Sequence, residues 1–415
     1  MDTYSELFQE YIISSIGYLT VLVQTTPALL SVDDRRQALH ALRYALRLPQ
    51  TWRAARALLL GMASKMERAG YRTEWLPYLQ QGVQQSQHQN DTATAAELAI
   101  HVGYTYFLQG DYAEADAWFT KSWHCFQQLN DLVGQDTALN RMAMVAQRQR
   151  AFAQAEHLVA QALSLLADYP ERANSYTVLG EVALETRAWS QAVGWFRQAL
   201  QIWEEHDDRR RCAWGERNLG VALLEQADYA GAIHCYQQAM MLLEQEADRV
   251  NLATVQLNLG VIFSRTNRPR EALPLYEKAA AIFRETQDQP YLAMIYTNQA
   301  IAYRRLQQWQ PAEESCRAAI ALWTKIGDIK NLLNAKDELG LILQGQGLLE
   351  AAVAVFSEAL EQLYRMPEPV PRLVELLRSH LADAKRSMLC SDTAVVLNTG
   401  VLAGAETPVF KQSKV

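Results

Sequence analysis

Alanine recurs at Ala115, Ala155, Ala192, Ala232, Ala272, Ala312 and Ala352, and five of the six gaps between them are 40 residues. A second row of small residues keeps the same beat, at Ser122, Ala162, Ala199, Ala239, Ala279, Ala319 and Ala359. A third holds Gly103, Ala143, Gly180, Gly220, Gly260, Ala300 and Gly340. Small residues in fixed mutual phase mark places where two helices approach too closely for a larger side chain. A chain with this period cannot bury the apolar face of one unit alone. It must stack units, so it is expected to form an all-α solenoid of antiparallel helix hairpins.

One unit shows how the hairpin is written. Helix A is predicted over Arg172–Thr186 and helix B over Ser190–Glu205, with Trp189 at the corner between them. The corner row continues as Tyr112, Phe152, Tyr229, Trp309 and Leu349, and Pro269 breaks it where a proline suits the first turn of a helix. Late in helix B stand Phe126, Leu166, Trp203, Leu243, Phe283, Trp323 and Leu363, which should pack against the next helix A. Asp131, Asp168, Asp208, Asp248, Asp288 and Asp328 fall in the loops between units and suit helix N-caps. Cys316 shares the row of Phe119, Phe196, Tyr236, Tyr276 and Phe356, and packing is its expected role.

The order small, aromatic, small, aromatic, small, as in Gly103, Tyr106, Gly110, Tyr112, Ala115, Phe119 and Ser122, resembles the tetratricopeptide repeat family. The standard repeat is about 34 residues, and the extra residues here fall between helix B and the next helix A. That longer form is similar to the repeats of kinesin light chains and of bacterial signalling proteins. The resemblance implies a right-handed superhelix whose A helices line a concave face. The expected organisation is an irregular N-terminal hairpin over 1–48 and a degenerate unit over 49–91. Seven units follow over 92–369, then a capping helix over 370–389 and a disordered tail over 390–415. Asp33 or Asp34 should cap a helix running through Leu46. In the cap, Leu373, Leu376, Leu377, Leu381 and Ala384 should face one way.

The 39 basic and 46 acidic side chains leave a net charge of −7, which disfavours a general nucleic-acid surface. Basic clusters at Arg209-Arg210-Arg211 and Arg304-Arg305 read as solvated faces. The scattered, odd set of cysteines fits a reducing compartment, and a cytoplasmic location is expected. Residues 11–32 carry no charge, but polar residues and Pro27 dilute them too far for a membrane span. Ile12, Ile16, Leu19 and Val23 instead recur at helical spacing, so this helix should pack on the first repeat.

The resemblance places the row two residues before each first small position on the concave face. It reads His101, Arg141, Val178, Asn218, Asn258, Asn298 and Glu338. Three asparagines in one register could form a ladder of amides that holds the backbone of an extended peptide. Arg148, Arg217, Arg265, Arg304 and Arg305 would supply charge for ligand carboxylates. Nucleotide-loop, nucleophile-elbow and zinc-protease motifs are lacking, so neither catalysis nor a cofactor or metal is expected. The reading is a scaffold or regulatory adaptor that binds a protein or peptide partner. The alternative is a stand-alone sensor of a small signalling ligand. The tail is a further candidate occupant of the chain's own groove.

Overall fold

The computed structural model describes residues 2–26, 30–69, 71–165, 170–366 and 369–403. Its regular structure there is helical. The hairpins are α1 (Asp2–Thr25) with α2 (Val32–Ala45), α3 (Trp52–Ala69) with α4 (Arg72–His88), and α5 (Thr92–Gln109) with α6 (Tyr112–Leu129). They continue as α7 (Leu132–Arg148) with α8 (Phe152–Leu165), α9 (Arg172–Glu185) with α10 (Trp189–Glu205), and α11 (Arg209–Glu225) with α12 (Tyr229–Gln245). Next come α13 (Arg249–Arg265) with α14 (Pro269–Glu285), α15 (Gln289–Arg305) with α16 (Trp309–Ile326), and α17 (Ile329–Gly345) with α18 (Leu349–Tyr364). The last helix is α19 (Pro371–Ala403). Contacts divide the chain into a first unit, Met1–Ile262, and a second, Phe263–Val415.

The small-residue rows are where the helices cross. All seven members of the alanine row, from Ala115 to Ala352, are fully buried, and so are Ser122, Ala162, Ala199, Ala239, Ala279, Ala319 and Ala359. The glycine row faces the aromatic row of the following helix. A Cβ on Gly220 would lie 2.8 Å from the Tyr236 ring, and one on Gly340 would overlap the Phe356 ring. The late row joins hairpins, as expected: the Phe126 ring sits where a Cβ on Gly134 of the next A helix would be. Cys316 is fully buried.

Helix ends follow the caps written in the loops. Asp131, Asp208, Asp248, Asp288 and Asp328 each accept a hydrogen bond from the backbone N–H three residues on. Leu166 and Asp168 lie outside the described residues. At α2 the cap differs from expectation. Ser31 Oγ receives the N–H of Asp34 and donates to the Asp34 carboxylate, so the serine caps and Asp34 sits in the first turn, where the helix dipole favours it.

The inner seam of α1, Ile12, Ile16, Leu19 and Val23, is buried in the core with Leu42, Leu58 and Met62. At the other end, Leu373, Leu377 and Ala384 are buried but Leu376 is exposed, because the helix rotates it away from α18. The backbone of α19 also continues to Ala403, past the expected end at residue 389 and through the first half of the expected tail. No proline interrupts the chain between Pro371 and Pro408, and the Ala-Val-Val-Leu run at 394–397 tolerates the helical backbone. Residues 404–415 of the expected tail, and with them part of the proposed groove ligand, lie outside the described residues.

Candidate functional site

In the first unit, the inner faces of α3, α5, α7 and α11 bring charge together around Tyr104. His101 Nδ1 lies 2.7 Å from Glu67 Oε1. Burial would raise the Glu67 carboxyl, but its bond to His101 and the nearby charges of His101, Arg210 and Arg141 hold it below the usual range. The Arg141 guanidinium lies over the Tyr104 ring, 4.6 Å from its centroid, and one N–H reaches the Met144 sulfur. Burial pushes the Tyr104 hydroxyl up, while Arg141, Arg210 and Arg217 act on it in the opposite direction. One helical face further along α7, Arg148 lies over the Phe107 ring.

A connected polar network joins α11 to the start of α13. Arg210 Nε donates to the fully buried carboxylate of Asp248 at 3.1 Å, and its guanidinium lies over the Trp214 ring. Asn251 Nδ2 donates to the same Asp248 oxygen, and Arg217 donates through Nη1 to Asn251 and through Nε and Nη2 to Asn218. Arg210 is therefore not part of a solvated cluster: the repeat folds it inward onto a carboxylate that needs a partner. Arg141 and Arg217 differ from it. Among the described residues they meet rings, a thioether and amides rather than a carboxylate.

The three asparagines have three different surroundings. Asn218 is buried and its oxygen is held by Arg217. Asn258 is half-buried and lies against the Tyr236 hydroxyl, whose own titration burial pushes upward. In the second unit, Asn298 donates to the Met294 carbonyl one turn back along α15. Part of each amide is therefore spent on the protein, and the three do not share one set of surroundings.

The second unit also uses its expected arginines internally. Arg304 grips Glu338 with two hydrogen bonds, of 2.5 and 3.2 Å. Burial still raises the Glu338 carboxyl above its ordinary range against that pairing. Arg305 donates to the Ser264 carbonyl, and Asp337 meets His380 of α19 at 2.7 Å. Arg265 is exposed.

Sequence reading missed Glu67 and Tyr104, and it named Arg210 and Asp248 only as a solvated-face residue and a helix cap. Part of the signal was available. Glu67–His101, Arg217–Asn251 and Arg304–Glu338 are each 34 residues apart. A residue on the inner face touches the next hairpin six residues short of the 40-residue period, not in register with it. Among the described residues, no helix is long and apolar enough to cross a membrane, and no group of three or more His, Cys, Asp or Glu could hold a metal.

Hairpins that cross at buried rows of alanine and glycine define a helical repeat protein. The chain belongs to the tetratricopeptide repeat family, whose sequence model matches residues 134–205, 210–285 and 291–364. A search of curated proteins finds no match. Among solved structures, the fold resembles a signal transduction ATPase with numerous domains and a tetratricopeptide repeat sensor from Pyrococcus horikoshii. The identity is 13% and the TM-score 0.60, over 79% of this chain and 49% of that one. The apo form of the quorum sensor NprR from B. thuringiensis is 16% identical with a TM-score of 0.54, over 67% and 79% of the two chains. A Rap protein complexed with competence and sporulation factor is 12% identical with a TM-score of 0.52, over 92% and 99%.

Proposed function

We propose that this protein is a non-enzymatic regulatory adaptor that captures a peptide segment of a partner on the inner faces of its A helices. The observation that carries the reading is Arg141 stacked on Tyr104, with Arg210 and Arg217 acting on the same hydroxyl, while the buried carboxylates hydrogen-bond elsewhere, Glu67 to His101 and Asp248 to Arg210. The Arg141 guanidinium, stacked on a ring and bonded to a thioether, keeps edge N–H groups for a planar acceptor, so the site suits a ligand carboxylate. Arg141, Arg217 and His101 are the proposed side-chain contacts in the first unit, with Asn218 holding Arg217 and Asn258 reaching the ligand backbone. Asn298 and Arg265 are the proposed contacts of the second unit; Arg304 is taken up by Glu338. The likeness to a quorum sensor and to a Rap protein solved with a signalling factor supports a regulatory role of this kind.

The test is fluorescence polarisation with matched panels of acidic and basic peptides. The Arg141→Ala/Arg217→Ala variant should bind acidic peptides about 10-fold or more weakly than wild type, as expected for loss of charged hydrogen bonds. Equal binding of both panels by wild type, or an unchanged variant, would remove this face from function.

A further inference from the structure

The first helix is apolar on two sides, and the described residues cover only one. Its inner seam is buried, as above. Its outer seam is Leu7, Tyr11, Ser14, Tyr18 and Val21, spaced four, three, four and three residues apart. Leu7, Tyr11, Tyr18 and Val21 are 57, 68, 67 and 58% exposed. Such spacing is the a/d pattern by which one helix packs along another. A helix that is apolar all round is normally buried all round. Beside the ridge runs a groove of about 580 Å³ between α1 and α2, lined by Phe8, Tyr11, Tyr18, His40 and Tyr44 among others. Ridge and groove therefore lie side by side on one face.

From this we infer that the outer face of α1 is an isologous dimer interface, occupied by α1 of a second copy running antiparallel. Three observations select that occupant. The seam is a palindrome about Ser14: apolar, aromatic, small, aromatic, apolar. A twofold axis at Ser14 sets Leu7 against Val21 and Tyr11 against Tyr18 of the other copy, which is the self-complementarity a twofold interface requires. Ser14 at the axis, with open space at Gly17 beside it, lets the two backbones approach where they cross. Residues 11–32 carry no charge, so like faces meet without repulsion, and the antiparallel order keeps Glu6 and Glu10 of the two copies apart.

The area agrees. With Phe8 and Tyr44, the exposed parts of the ridge amount to on the order of 700 Å² per copy, close to what each partner gives a standard interface. A partner with a charged face would leave this surface unmatched.

The experiment is sedimentation velocity on the full chain at micromolar concentration, with wild type beside Tyr11→Glu/Tyr18→Glu. Both tyrosines are exposed, and thermal melting by circular dichroism checks that the variant is folded. The expected result is a wild-type dimer and a folded, monomeric variant. Single cysteines then test the axis with a short bismaleimide. Ser14→Cys should cross-link above the wild-type background. Leu7→Cys alone should not, because its two copies would be about 21 Å apart along the helices, whereas a mixture of Leu7→Cys and Val21→Cys should. A monomeric wild type, a dimer that survives the double substitution, or Leu7→Cys linking to itself would overturn the proposal. So would binding of monomeric wild type to neutral phosphatidylcholine vesicles, which would assign the face to a lipid surface.

Discussion

A single methyl group decides how close two helices come in this protein, and a single backbone angle decides where each one stops. Ala232 is fully buried in α12, one turn before the buried Tyr236. Replacing it with Leu should destabilise the fold by about 1–3 kcal/mol, because the extra atoms have no void to enter. Urea unfolding measures this, and an unchanged midpoint would place the crossing elsewhere. The turns carry the opposite opportunity. Ala227 and Ala247 end their helices with φ of 62° and 52°, in the left-handed region that costs a residue with a Cβ about 1–2 kcal/mol. Ala227→Gly should therefore stabilise by about 0.5–1 kcal/mol, after the greater freedom of glycine in the unfolded chain is deducted. A lower melting temperature would show that the angle is not strained in solution. The first effect was legible in the sequence, because small residues repeated in one phase point directly to close helix contact. The second was not: glycine closes Gly110, Gly327 and Gly347, but arginine, glutamine and alanine fill equivalent turns, and composition alone does not reveal a positive φ.

At the scale of the element, the hairpins are held in register by polar ties that the period alone does not reveal. Between α7 and α9, Ser175 Oγ donates to Asn140 Oδ1, and Asn140 Nδ2 donates to Asp136 Oδ2. The other Asp136 oxygen is buried without a partner. Burial, together with the nearby Glu171 charge, pushes the Asp136 carboxyl up to about 6, against the pull of Asn140. The folded carboxyl thus binds its proton more tightly than the unfolded one. Its contribution to stability is complete below the ordinary carboxylate range and is lost as pH rises to about 6. Asp136→Asn should raise stability at pH 7 by about 1–2 kcal/mol, with the gain disappearing near pH 4. Unfolding curves at the two pH values test this, and an equal gain at both would mean that ionisation is not the cause. These ties explain why the candidate site was only partly readable. Rows at the 40-residue period select residues that point the same way. Contact depends on the six-residue offset set by the tilt of one hairpin on the next, so His101 and Arg141 were found while Glu67 and Tyr104 were not. The end of α19 was unreadable for a related reason: its last turns lack the apolar period that reports packing.

For the whole molecule, charge works at two distances with opposite signs. The chain carries −7 overall, yet the face proposed to bind gathers Arg141, Arg210 and Arg217 around one tyrosine. An acidic peptide approaching from beyond the Debye length, about 10 Å at 0.1 M salt, meets the net negative field first and the guanidinium groups only on contact. Salt should therefore screen the repulsion that slows encounter more than the partly buried contacts that hold the ligand. The association rate constant is expected to stay level or rise as salt increases from low concentration, while dissociation quickens modestly. A surface steered by its own basic field shows the reverse, with association falling steeply as salt is added. Stopped-flow measurements with a labelled acidic peptide over a salt series distinguish the two. A steep fall would mean that the local arginine field reaches past the acidic surface, and the selectivity of this face would then rest on long-range attraction rather than on the fixed geometry of stacked guanidinium groups.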